Sequence, residues 1–290
     1  VTTPITLGQF STSPVVAAAR HLSLDRRYGI DLTTTRVPSS PGQFQMLVDG
    51  AIDVAVTSPD NVLLYATTDR NPLSCRVDVQ IVRAIDRGLG LTMVTRPGIR
   101  TVDDLAQASL CVDVVRSGFA LLLFTMLDSV GIDPQQMNFE ERGSTPARME
   151  ALLRGESEGT ILNAESLVAA QEAGMRMWMT AADVSSRYLG TVLAVPSGTD
   201  QGLVDALLRL WSDATEWLLD APETEVADCL GNESPILGSA AYVHLLRDPS
   251  TGLSRSGSVD VDDLRVLCDI RRTRGAYSPS DDALAALVSP

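Results

Sequence analysis

The chain has 290 residues, 44% of them apolar and 21% charged, which excludes a disordered chain and suits two lobes of ordinary size. A net charge of −14 makes nucleic acid and anionic membranes poor partners, because an acidic surface repels phosphate. All 23 basic residues are arginine, which excludes Schiff-base chemistry, covalent pyridoxal phosphate and the lysine of a phosphate loop, and no cofactor is expected.

Ile5–Gly8 reads as a first strand, followed by the loop Gln9–Ser13 and a helix from Val15 to Leu24 that Pro14 opens. Ile30–Val37 alternates as a strand does. Ser40-Pro41 opens a helix that Gly50 closes, Ile52–Thr57 is a buried-type strand, and Asp60–Ala66 is the next helix. Val79–Ala84 and Leu91–Val94 are strands. Thr101-Val102-Asp103-Asp104 is a capping-box variant with Asp in the place usual for Glu. Leu110–Val115 is a strand, and Ser117 caps an apolar helix that ends before Gly131. Asn138–Arg142 is extended, Thr145-Pro146 opens a helix that Gly155 closes, and Gly159–Asn163 is a strand. A helix over Glu165–Ala173 follows, then strands at Met175–Met179 and Gly190–Val195. From Gly202 the pattern is mainly helical, with a loop-rich stretch over Arg247–Ser258.

The longest apolar run, Phe119–Phe124, falls far below the ~20 residues that a membrane span needs. His21 and His244 stand far apart, and Cys75, Cys111, Cys229 and Cys268 form no CxxC, so no metal site is expected. The cysteines read as small buried hydrophobes, with two disulfides as the alternative in an exported protein. Val1-Thr2-Thr3-Pro4 enters the first strand with no signal peptide. Two expectations stand: an export signal trimmed away, which places the protein outside the cytoplasm, or a translated GTG start at Val1, which places it inside.

Two segments match. Ser40-Pro41, Leu47, Gly50 and Asp60 recur 105 positions later as Thr145-Pro146, Leu152, Gly155 and Glu165. Gly29-Ile30-Asp31 recurs as Gly131-Ile132-Asp133 at a slightly different offset. The pattern predicts an α/β fold of two pseudo-duplicated lobes, each a mostly parallel sheet flanked by helices. Ligands of such sheets bind beyond the carboxyl ends of the strands, here in a cleft between lobes that hinges on two crossings, near Asp86–Leu91 and Leu193–Pro196.

The ordered motifs Tyr28-Gly29-Ile30-Asp31-Leu32, Leu47-Val48-Asp49-Gly50-Ala51-Ile52-Asp53-Val54-Ala55, Arg96-Pro97-Gly98-Ile99-Arg100-Thr101-Val102-Asp103-Asp104-Leu105 and Met149-Glu150-Ala151-Leu152-Leu153-Arg154-Gly155 resemble type II periplasmic solute-binding proteins. The resemblance is to the sulfonate-, nitrate- and thiamine-precursor-binding branch. Gln107 and Ala108 depart from the Gly and Lys common after the Asp-Leu pair. The resemblance implies a two-lobed binding-protein fold, with residues 1–88 and 195–290 as lobe 1 and 89–194 as lobe 2. It also implies a small polar or anionic organic ligand and an ABC-type importer whose permease is the partner. The same fold serves some cofactor-free decarboxylases, a desulfinase and dehydratase-type lyases, so a metal-independent lyase or decarboxylase is the alternative.

Four loops are expected at the cleft. Phe10, Ser11 and Thr12 offer a ring and hydroxyls. Thr57, Ser58 and Asp60 offer hydroxyls and an acid, with a helix cap as the other role for Asp60. Arg116, Ser117 and Gly118 suit an anion at a helix N-terminus, unless Arg116 pairs with Asp113. Asn163 and Glu165 complete the set, Glu165 holding the repeat position of Asp60. Asp60 and Glu165, with Arg116, are the candidates for acid–base catalysis; the simpler role for both acids is stabilising a helix dipole.

Overall fold

The computed structural model describes residues 2–288. Strand β1 (Thr3–Gln9) leads into α1 (Pro14–His21), where the Ser13 hydroxyl accepts from Val16 N. The expected single helix breaks here: Ser23 turns at φ +53° into a short α2 (Leu24–Arg27). Then come β2 (Ile30–Arg36), α3 (Ser40–Val48), β3 (Val54–Thr57), α4 (Pro59–Thr67) and β4 (Val79–Asp86). The chain crosses over and forms β5 (Thr92–Thr95), α5 (Val102–Gln107), β6 (Leu110–Val112), α6 (Gly118–Ser129) and β7 (Phe139–Glu141). After these come α7 (Thr145–Arg154), β8 (Gly159–Leu162), α8 (Ala164–Glu172), β9 (Arg176–Thr180) and α9 (Ala181–Val184). The chain returns in β10 (Thr191–Pro196) and ends in α10 (Gln201–Asp220), α11 (Glu223–Gly231), α12 (Ala240–Leu246), α13 (Val261–Thr273) and α14 (Asp281–Ala285).

Local chemistry sets the boundaries. Thr101 and Asp104 form a full capping box at α5, each side chain bonded to the other's backbone N–H. Ser39 and Ser144 cap α3 and α7, one residue before the expected openings at Ser40 and Thr145. Strand β6 stops at Val112 rather than Val115, because Asp113 turns the chain and accepts the Ser117 hydroxyl.

Two five-stranded sheets result, ordered β2-β1-β3-β10-β4 and β7-β6-β8-β5-β9. In the first, β1 pairs in parallel with β2 and β3, and β10 runs antiparallel between β3 and β4. In the second, β6 pairs in parallel with β7 and β8, and β5 runs antiparallel between β8 and β9. Each sheet is thus the same parallel frame with one antiparallel strand that directly follows a crossing: β10 after the chain leaves the second sheet, and β5 after it leaves the first. The repeat holds to the residue at its centre: β3 and α4 cover 54–57 and 59–67, and β8 and α8 cover 159–162 and 164–172. The crossings run from β4 to β5 and from β9 to β10.

The tail has no copy in the repeat. Helix α10 buries Val204, Leu207, Trp211, Ala214 and Leu218 against α1, with helical spacing, each large side chain contributing about 1.5–3 kcal/mol. Helix α13 buries Leu264, Leu267, Cys268 and Arg271 along one stripe and packs on α6 of the second lobe. Beyond α14, Leu287 O accepts from Ile81 N at 2.7 Å, and Gly257 O accepts from Ala84 N at 2.8 Å. The tail therefore covers the open edge of β4, a place where bare backbone groups would otherwise recruit another strand. The four cysteines are unbonded, with Cys75 exposed and Cys111, Cys229 and Cys268 buried. No described helix is long and apolar enough to cross a membrane.

Candidate ligand cleft

The loops after β1, β2, β3, β6, β7 and β8 converge on one cleft of about 2140 Å³. This exceeds the 300–1,000 Å³ usual for a small-molecule pocket, as expected of a groove open between two lobes. Phe10, Ser11, Thr12, Thr57, Ser58, Asp60, Arg116, Ser117, Gly118, Asn163 and Glu165 all line it. They are not equally free to act there.

On the first wall, Phe10 is 37% exposed at the cleft mouth with Ser11 beside it. Thr57 is buried, and its hydroxyl accepts from Asn61 Nδ2 at 3.2 Å. Ser58 caps α4 by accepting from Asp60 N at 3.2 Å. Asp60 itself neither caps the helix nor stands free. Arg271 Nη1 of α13 donates to both of its carboxylate oxygens, at 2.7 and 2.8 Å, with both side chains under 10% exposed. A Cβ added to Gly118 would lie 2.8 Å from Asp60 Cγ, so glycine lets the start of α6 pass against this ion pair. The Asp60–Glu165 acid–base pair expected from the repeat is therefore not present as two free carboxylates.

On the second wall, Ser117 caps α6 by accepting from Ala120 N at 3.0 Å. Arg116 is exposed and forms no ion pair among the described residues, while Asp113 is taken by the Ser117 hydroxyl. Asn163 precedes α8 but makes no side-chain cap bond, and Ala164 sits at φ +47°, a backbone region costly for any residue with a Cβ. Glu165 follows, half-buried. Burial pushes its pKa up, and Arg36 across the cleft opposes that shift.

Several lining residues were not singled out by the sequence reading. Arg148 in the first turn of α7 is 1% exposed. Its guanidinium donates to Gly143 O at 2.5 Å, Thr145 Oγ1 at 3.2 Å, Thr160 Oγ1 at 3.2 Å and Ile161 O at 3.1 Å. Every one of these acceptors is neutral. Burial pulls its pKa down, and the charge of Asp113 opposes the shift without reaching ion-pair distance. Asp86 ends β4 at the first crossing, 3% exposed. Burial pushes its pKa up to about 6, against hydrogen bonds from Thr191 and Gly88. Its Oδ1 accepts from Gly88 N at 2.8 Å, and its carbonyl accepts from Gly190 N at 3.1 Å on the second crossing. Gly88, Leu89 and Gly90 then run at φ +111°, +38° and +71°, a reversal in which glycine is required on both sides. Helical spacing carried a signal for Arg148 and Arg271: each occupies the apolar stripe of its helix, with Met149, Ala151 and Leu152 or with Leu264, Leu267 and Cys268.

No protein-family model matches the chain, and no curated protein matches it. Solved structures do. The alkanesulfonate-binding protein of Xanthomonas axonopodis pv. citri, solved with MOPS, is 17% identical at TM-score 0.77, over 100% of this chain and 99% of that one. The periplasmic aliphatic sulphonate-binding protein of Escherichia coli is 17% identical at TM-score 0.76, over 99% and 98%. A Candida albicans protein described as having the generic periplasmic-binding-protein fold is 11% identical at TM-score 0.68, over 99% and 96%. The chain has the two-lobed type II periplasmic-binding-protein-like fold.

Proposed function

We propose that this chain is a solute-binding protein whose lobes close on a small organic molecule carrying an anionic group, as the substrate-binding component of an ABC-type importer. One observation carries the reading. Arg148 is a buried cation at the cleft with no carboxylate at ion-pair distance among the described residues. Burying a charge without a counter-charge is costly, and an arriving carboxylate or sulfonate removes that cost. The starts of α6 and α7 flank the same place, and helix N-termini favour anions. The fold's neighbours that bind sulfonates support the same class of ligand, with the permease of the importer as partner. The enzyme alternative loses its acid–base pair, because Asp60 is committed to Arg271.

Binding of a matched series of alkyl carboxylates and sulfonates, measured by thermal shift and calorimetry, tests the reading. A ligand at 100 times its Kd adds about 2.7 kcal/mol of stability by mass action. Arg148→Met is expected to weaken binding at least about tenfold, the order of one charge-assisted hydrogen bond. Undiminished binding by that variant would overturn the role given to Arg148, and the absence of binding by every organic anion would overturn the function.

A further inference from the structure

The cleft also carries charged groups of sign opposite to Arg148, on α8 and at the first crossing. Leu89 O, three residues past Asp86, accepts from Ala164 N at 2.9 Å, so the first crossing is tied to the start of α8 beside Glu165. Helix α12 packs on α8 and brings Tyr242 to the same cleft as these acids. Tyr242 is 1% exposed and lines the cleft, and both Glu165 and Asp86 act on its phenol electrostatically. Among the described residues Tyr242 Oη makes no hydrogen bond, while its backbone N–H donates to Ser239 Oγ at 3.2 Å. Neither carboxylate has an arginine at ion-pair distance among the described residues. Arg36 acts on Glu165 from the opposite wall.

Two carboxylates and a buried phenol with an open hydrogen-bonding position thus line the cleft with no arginine at ion-pair distance of either acid among the described residues. A purely anionic solute would meet repulsion here. An ammonium would be attracted by both acids, and the phenol oxygen would accept from its N–H. We infer that this part of the cleft seats a positively charged nitrogen of the ligand, so that the solute is amphoteric, its anionic group at Arg148 and its amine at Glu165. The inference rests on the reading of the cleft as a solute site and narrows its ligand class. It also gives a use to the Asn163 side chain, which caps nothing and lines the same cleft.

The test compares ω-aminoalkyl sulfonates and carboxylates with their amine-free counterparts of equal chain length, by calorimetry on the full chain. The aminated member is expected to bind at least about tenfold more tightly, the scale of one desolvated charge pair. Glu165→Gln is expected to shrink that ratio several-fold, with an unchanged melting temperature of the unliganded protein as the folding control. A second variant, Tyr242→Phe, removes only the phenol oxygen and is expected to shrink the ratio less. Equal binding of both members overturns the amine seat while leaving the anion site standing. An aminated member preferred equally by wild type and Glu165→Gln also overturns it, because the preference then arises elsewhere. Binding by no member of either series overturns both this inference and the function on which it rests.

Discussion

The starts of α4 and α8 occupy the same position in the repeat, 105 residues apart, and carry an acid each, yet the two acids do different work. Asp60 is buried and held by Arg271, whereas Glu165 is half-buried and has no ion-pair partner among the described residues. The difference comes from outside the repeat. Helix α13 brings Arg271 to the acid of the first lobe, whereas the arginine that the tail brings to the second lobe, Arg274, pairs with Asp128 of α6 and leaves Glu165 without a partner among the described residues. The repeat gives both walls the same geometry, and the unrepeated tail pairs one acid and leaves the other unpaired.

The sharpest way to break this comparison is to remove the arginine. Arg271→Met leaves Asp60 buried and uncompensated, and loss of one partner of a buried pair costs about 3–5 kcal/mol. Urea denaturation should show that loss, and Asp60→Asn combined with Arg271→Met should recover much of it, because the stranded charge is then gone. Equal stability of the single variant and the wild type would mean that Asp60 is no more committed than Glu165.

A second test concerns the hinge between the walls. The Asp86 carboxyl has its folded pKa raised to about 6 from 3.8 by burial. With the folded value above the unfolded one, its favourable contribution is complete below pH ~4 and is lost as pH rises through ~6, a swing of about 3 kcal/mol. Asp86→Asn keeps an acceptor for Gly88 N and does not ionise. It should therefore gain stability over the wild type progressively between pH 4 and 6, as read by denaturation at several pH values. A constant difference across that window would show that Asp86 titrates near its ordinary value.

Much of the fold was legible because it rests on local rules. The repeat, the capping box at Thr101 and the glycine closures at Gly50 and Gly155 are written in short spacings that the chain must satisfy wherever it folds. The expected cleft loops also reached one groove, since loops after parallel strands have one end of the sheet to occupy. What stayed hidden were pairings across long separations. Nothing near Asp60 announces Arg271, which lies 211 residues on, and nothing near Glu165 announces Tyr242. Arg148 was hidden differently: a charged residue in an apolar stripe is normally a surface residue just off the seam, and only the neutral acceptors around it show that it is inside.

The smallest expected effect gives the most direct contrast. Glu165→Gln should change stability by no more than about 0.5 kcal/mol at neutral pH, the range of substitutions away from tight networks. The side chain breaks no ion pair when it loses its charge, and glutamine keeps its length and an acceptor oxygen. The sign is also set. Burial raises the folded pKa of Glu165, so the charged form costs the folded state something once pH exceeds that value, and glutamine escapes the cost. The variant should therefore be level with the wild type or slightly more stable at pH 7, and lose that advantage as pH falls below the unfolded carboxyl pKa. Asp60→Asn, at the matching position of the repeat, should instead be clearly destabilising, because it strands Arg271 without its partner. Two conservative acid-to-amide changes at equivalent sites would then differ by several kcal/mol, and that gap measures what the tail added to one acid and withheld from the other.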